Sequence, residues 1–554
     1  MTLQNMRLDL GRTTSGPIRR QARLHPTTVE TASGCAGGRV QERGEGYMPA
    51  SSKQQAAASL LFIVTCSQLS PEKSWPTSTC FPQRPSVRTL TSSLVLSSSL
   101  PSVPHLQLTS TPLGKLKITE SFFEVPKDHS KPEAGSIKVF ARSARKHETY
   151  PNEAKNDEQL PWIVFLNGGP GNECRPPQHY PFTNTLLDKG YQVLCLDQRG
   201  TGLSTPITAS TLQMRGDNAV QANYLKLYRA DSIVRDCEAI RQTLTADYPE
   251  DKKKWSVMGQ SFGGFCIITY LSFYPQGLRE AFLFGGLQAL VKSPDEVYRR
   301  LYKKLIQRNE AYYAKFPADI PRVRQILNYL SRFGDGTIKL PSEGNLTRRR
   351  FQQLGINLGF HGGLDAVHDL VLRAAYDIEA FGHLTRGSLS AIDRALSFDE
   401  NLLYSILHEP IYCSGQAPNW SAQRLLDTEY PQFSPERAPS DETPIFLTGE
   451  MIYPWMFTDY SELRKVSEVA ELVAKDSDWP DLFDEAQLAA NEVPVFAAAY
   501  TEDMYVDYDL SMQTAAKIKG CKTFTTNVMF HDAIRSRMDE VVRQAWGLRD
   551  DVVD

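Results

Sequence analysis

The sequence predicts an α/β fold in which a mostly parallel sheet is flanked by helices and interrupted by an inserted helical cap. Three observations carry this. First, the apolar runs P-W-I-V-F-L (161–166) and Y-Q-V-L-C-L (191–196) each end in a glycine-bearing loop, as parallel strands buried on both faces do. Second, residues 230–248 place Ile233, Cys237, Ile240 and Leu244 at spacings of three and four, an amphipathic helix that leads straight into another apolar run at Trp255. Third, residues 290–440 keep helical periods and lose the strand-loop rhythm.

The remaining elements follow in order. K-L-K-I-T-E-S-F-F-E-V-P, from about Leu116, alternates as an edge strand, and G-S-I-K-V-F-A-R-S-A follows it after a turn with Pro and Gly. Residues 280–284 form the strand after the one at Trp255. The α/β pattern resumes at P-I-F-L-T-G-E (444–450), pauses in a helical stretch and returns at V-P-V-F-A-A-A-Y (493–500). The expected organisation is a disordered or non-native extension at 1–110, a first core segment at 111–290, the cap at 291–440 and a second core segment at 441–554 with a short helical insertion at about 455–490.

Residues 1–110 are rich in Ser, Thr, Pro and Arg, with five acidic residues against eleven Lys or Arg. The arginines at the start superficially resemble an organellar transit peptide, but Pro and Gly interrupt any amphipathic helix. The apolar run at 57–66 falls short of the roughly 20 residues a membrane span needs, so no membrane partner is expected. Across the whole chain, 61 basic residues against 64 acidic ones give a net charge of −3, which argues against a nucleic-acid partner. Nine cysteines, with Cys195 and Cys266 in apolar segments, suit reduced thiols and a cytoplasmic protein. No C-x-x-C pair or histidine-rich ligand spacing appears, so neither a metal nor a cofactor is expected. Oligomeric state is not legible.

The chemistry is concentrated in W-S-V-M-G-Q-S-F-G-G-F (255–265), where Ser261 stands in G-x-S-x-G directly behind an apolar run. A serine on a sharp strand-to-helix turn has strained backbone angles and needs small residues two before and two after it. The turn lifts the hydroxyl above the sheet and aims the first N–H groups of the next helix, beginning with Phe262, at a developing oxyanion. A second half of that oxyanion site is expected at L-N-G-G-P-G-N (166–172), where Gly169 lets a backbone N–H approach a carbonyl oxygen. In D-Q-R-G-T-G-L-S-T (197–205), Asp197 and Arg199 are expected to form a buried pair supporting the loop.

A triad in the chain order Ser, acid, His requires an acid and then a base near the C-terminus. Asp503 lies three residues beyond the run ending at Tyr500, with Glu502 and Asp507 as competitors, and His531 follows T-F-T-T-N-V-M-F ahead of a closing helix. Ser261, Asp503 and His531 together point to acyl chemistry on an α/β-hydrolase fold.

N-G-G-P-G (167–171) and D-Q-R-G-T-G-L-S (197–204), upstream of G-x-S-x-G, resemble the proline iminopeptidase (prolyl aminopeptidase) family, in its longer fungal-type form. The resemblance spans roughly residues 115–548. It implies a serine peptidase that releases an N-terminal proline, or another residue, from a peptide with a free amino end. It also implies carboxylates in the cap that meet the amine. Glu409, in L-H-E-P-I-Y-C, and Glu450, in L-T-G-E-M-I-Y-P-W, are the candidates, with Tyr412, Trp420, Tyr453 and Trp455 as possible walls for a proline ring. Asn167 replaces the family's usual histidine, and Phe262 stands where the bacterial enzymes usually have tryptophan. The rival readings are an esterase or lipase with the same triad, a di- or tripeptidyl aminopeptidase, and a non-catalytic binding protein on the same scaffold.

Overall fold

A computed structural model describes residues 103–147, 159–332, 334, 336–434 and 443–551; the expectations for residues 1–102 lie outside the described residues. Its strands are β1 (His105–Leu113), β2 (Leu116–Pro126), β3 (Ser136–Lys146), β4 (Trp162–Leu166), β5 (Gln192–Leu196), β6 (Trp255–Gln260), β7 (Leu278–Phe284), β8 (Val495–Tyr500) and β9 (Cys521–Thr526). They form one sheet in the order β1-β2-β3-β5-β4-β6-β7-β8-β9. Pairing is antiparallel from β1 to β5 and parallel from β5 through β9. The first strand starts at His105, inside the segment expected to be extension, and makes the edge that the sequence assigned to β2.

The inner parallel strands β4 to β8 are buried and mostly apolar because helices cover both faces, and alternate residues feed opposite layers, whereas the edge strand β9, C-K-T-F-T-T, is more polar and half-buried. In β4, Trp162, Val164 and Leu166 face the layer built on α2 (Ala230–Leu244) and α3 (Phe262–Phe273). Ile163 and Phe165 face the other layer, with α1 (Phe182–Asp188) and the C-terminal helix Met538–Asp550. There Phe282 of β7 stacks on Trp546 with ring centroids 3.9 Å apart. Cys195 and Cys266 are buried and unpaired, as expected.

β7 and β8 are neighbours in the sheet, with Phe284 opposite Ala498, yet the chain between them makes a long helical excursion. The excursion includes α4 (Asp295–Lys315), α5 (Gly363–Phe381), α6 (Leu402–Leu407) and α7 (Ser421–Thr428). The return to α/β pattern expected at 444–450 does not occur, because that segment forms no strand. Its backbone groups are instead met by side chains. The Asn309 amide of α4 donates to the Leu447 carbonyl at 2.9 Å and accepts the Leu447 N–H at 2.7 Å, as a neighbouring strand would. Tyr313 donates to the Ile445 carbonyl, and Gln352 donates to that of Phe446.

The excursion is fastened to the core by Arg229, a fully buried residue at the start of α2. Its guanidinium donates to the carbonyls of Pro410, Cys413 and Pro480.

Candidate active site

Ser261 sits between β6 and α3 at φ 55°, ψ −124°, a left-handed conformation that a non-glycine residue holds only when its surroundings impose it. The imposition is visible at Gly263, where a Cβ would come within 2.0 Å of the Leu166 carbonyl oxygen at the end of β4. Ser261 donates its backbone N–H to the Phe284 carbonyl of β7, which anchors the elbow to the sheet. The N–H of Phe262 is the first of α3 and has no intrahelical acceptor.

Because β4 and β6 are adjacent and parallel, the loop after β4 lies beside the elbow. A Cβ on Gly168 would stand 2.9 Å from Ser261 Cβ, and Gly169 faces the same cavity as the serine. Asn167 does not point a side chain at the reaction centre; its amide donates to the Glu173 carbonyl at 2.8 Å.

β8 and β9 lead into Asp503 and His531, the two residues expected to join Ser261 in a triad. Asp503 follows β8 and is 1% exposed; its Oδ2 meets His531 Nδ1 at 2.8 Å, while its Oδ1 accepts the N–H groups of Tyr505 and Val506 at 2.9 and 3.0 Å. With Nδ1 held there, Nε2 lies on the opposite side of the ring. Tyr505 packs on the imidazole at 4.6 Å. A Cβ on Gly285 would sit 3.3 Å from His531 Nδ1, so glycine there leaves room for the pair. The competing acids are engaged elsewhere. Glu502 lies 3.7 Å from Lys304, and Asp507 caps the helix Tyr508–Lys517 through the Leu510 N–H.

The sequence motifs thus converge on one cavity of about 310 Å³, reached by Ser261, His531, Gly169 and Glu450. Carboxyl-end loops of β4, β6, β8 and β9 supply its floor, the usual place for a site on a parallel sheet.

The alpha/beta hydrolase fold family model matches residues 161–371. Proline iminopeptidase aneH of Aspergillus aculeatus is 45% identical over 441 residues, covering 80% of this chain and 95% of that protein. A proline iminopeptidase of Aeromonas sobria is 38% identical over 423 residues, covering 76% of this chain and 94% of its own length. The chain belongs to the proline iminopeptidase family.

The two glutamates expected to meet a substrate amine in a proline iminopeptidase have different environments here. Glu409 does not line the cavity. Its two carboxyl oxygens accept the Ser421 and Ala422 N–H groups at 3.0 and 2.9 Å, capping the start of α7, and burial pushes its carboxyl up to about 8. Glu450 does line the cavity, although it follows no strand. It is 6% exposed, its Oε2 lies 3.4 Å from the Tyr404 hydroxyl and 3.5 Å from His408 Nε2, and its Oε1 is buried with no hydrogen-bond partner. Burial and the nearby Glu450 carboxylate push the Tyr404 hydroxyl well above its ordinary range, so it remains a donor.

The expected aromatic wall is also relocated. Tyr412, Trp420, Tyr453 and Trp455 do not line the cavity, and Tyr412 packs on Phe265 and Tyr298. Phe360, Phe398, Tyr404 and Tyr505 line it instead.

Asp197 and Arg199 do not pair. Arg199 grips Asp236 through Nε at 2.7 Å and Nη2 at 2.5 Å, with His129 on the same carboxylate. Burial opposes the Asp236 charge, but the guanidinium and these hydrogen bonds hold the carboxyl below its ordinary range. Asp197 accepts N–H groups from Cys174 and Leu203, and burial raises it to about 6. Sequence reasoning missed Asn401, whose side chain reaches from the start of α6 to the Pro170 carbonyl and to Asn172. It also missed Arg535, which lines the cavity from the short helix Ala533–Ser536.

Proposed function

We propose that this chain is a serine aminopeptidase that releases one N-terminal residue, preferentially proline, from peptides with a free amino end. One observation carries the reading: a buried carboxylate with an unpartnered oxygen, Glu450, faces the cavity that also holds Ser261 and His531. A buried, unsatisfied carboxylate oxygen is costly unless a cation arrives to meet it. The ammonium of a peptide's first residue is such a cation. An internal peptide bond brings none and leaves the charge unpaired, which is how a site of this kind discriminates against it.

In this mechanism Ser261 Oγ attacks the carbonyl carbon of the first residue while His531 Nε2 takes its proton. Asp503 holds the Nδ1–H and stabilises the imidazolium. The Gly169 and Phe262 N–H groups receive the oxyanion, and His531 returns the proton to the departing amine. Water then hydrolyses the acyl-enzyme by the same route reversed. Phe360, Phe398, Tyr404 and Tyr505 offer the ring of a proline an apolar wall. A cytoplasmic site of action belongs to the same reading, supported by the unpaired, mostly buried cysteines among the described residues.

The test is hydrolysis of proline, alanine and leucine arylamides, with free and blocked amino ends, by wild type, Ser261→Ala and Glu450→Gln. The expected result is strong preference for the free proline derivative, loss in Ser261→Ala, and a fall in Glu450→Gln of at least about 100-fold in kcat/KM that spares a simple acyl ester. Equal losses on arylamide and ester would remove Glu450 as the amine site and favour an esterase.

A further inference from the structure

The same cavity carries a second, opposite charge. Arg535 lines it from the short helix Ala533–Ser536, which follows His531 in the chain. It keeps contact with solvent, and its hydrogen bond goes to a neutral acceptor, Gln260 Oε1 at 3.1 Å. Among the described residues it forms no ion pair. The nearest acid in sequence, Asp532, is taken by His361 through Nδ1 at 2.7 Å and through the backbone N–H at 3.1 Å. Arg175, a like charge, stands nearby and adds to the local positive potential.

We propose that Arg535 binds the free α-carboxylate of a dipeptide substrate, so that the enzyme prefers Pro-Xaa with a free carboxyl end over the same dipeptide as an amide. The inference rests on the exopeptidase reading above and adds the leaving-group side to it.

Position supports this. Gln260 Oε1 and Ser261 Cβ both crowd one point, the site of a Cβ on Gly168, at 2.7 and 2.9 Å. The guanidinium held on Gln260 is therefore close to the serine. The leaving amine must face His531, and Arg535 follows His531 in the same short segment. One residue spans about 3.5 Å of chain, so the carboxylate of a dipeptide's second residue comes within reach of this guanidinium. In a longer peptide that position holds a neutral carbonyl. Guanidinium and carboxylate match as planar, two-pronged partners, which a neutral amide does not. Glu450 for the amine and Arg535 for the carboxylate together make a site for a zwitterion.

The experiment compares prolylglycine with prolylglycinamide in wild type, Arg535→Met and Arg535→Lys, reading the ratio of their kcat/KM values within each protein. The expected wild-type ratio favours the free acid by about 10-fold or more, carried mainly by KM. It collapses towards one in Arg535→Met and is partly kept in Arg535→Lys. A wild-type ratio near one, or a ratio unchanged in Arg535→Met, overturns the proposal. The wild-type ratio decides the matter even if a variant fails to fold. Failure of the exopeptidase reading has a separate signature, since wild type would then leave proline arylamide and both dipeptide forms uncleaved.

Discussion

Glu409 and Glu450 illustrate how differently two buried glutamates of the excursion between β7 and β8 can be used. Both stand in motifs of the same look, Glu followed by aromatics, and the sequence offers both as amine ligands. What separates them is whether their oxygens are already spent. Glu409 is occupied by two N–H groups at a helix start that lies twelve residues on, and periodicity does not report that contact. The difference is measurable. In the folded chain Glu409 keeps its proton up to about pH 8, whereas unfolded it ionises near its ordinary 4.5. Between those values the folded state binds more protons, so stability falls as pH rises through that window. Denaturant unfolding at pH 5, 6.5 and 8 is expected to show wild type losing stability relative to Glu409→Gln as pH rises. Parallel pH curves for the two proteins would contradict this. The convergence of Ser261, Asp503 and His531 at one end of the sheet, by contrast, was legible, because each was expected just beyond a strand and their chain order follows the sheet.

At the scale of elements, the buried strands β4, β5, β6, β7 and β8 were legible, since local pattern and final environment agree there. The segment 444–450 is the instructive failure. P-I-F-L-T-G-E has a strand's composition, but its hydrogen-bond partners include the side chains of Asn309, Tyr313 and Gln352 and the Gln352 carbonyl, which lie far away in sequence. Asn309 alone serves both backbone groups of Leu447. Asn309→Leu leaves that N–H and that carbonyl buried without this partner and is expected to cost about 2–4 kcal/mol in unfolding free energy. Because Glu450 lies three residues beyond Leu447, KM for proline arylamide should rise in the same variant. A cost under about 1 kcal/mol would mean that this amide does not hold the segment.

For the whole molecule, the relation between cap and core matters most. Asn401 at the start of α6 accepts the Tyr404 N–H and donates to the Pro170 carbonyl and Asn172, tying a cap helix to the loop that carries Gly169. Asn401→Ala should lower kcat/KM about 10-fold or more through a displaced loop, with a stability loss of only about 1 kcal/mol from the missing helix cap. Loss of stability without loss of rate would show that the tie is merely structural. Such long-range ties were illegible beforehand because single side chains bridging distant segments leave no periodic trace.

The adjacency of β7 and β8 has a consequence for how the molecule is born. The ribosome completes Ser261 and its elbow first, then must release everything from Gly285 to Pro494 before the strand that precedes Asp503 exists, and more again before His531. A half-made chain therefore carries Ser261 without the Asp503–His531 pair that the proposed mechanism needs. On the mechanism proposed above, the long detour delays hydrolytic competence until the residues of the excursion that line the cavity have been made.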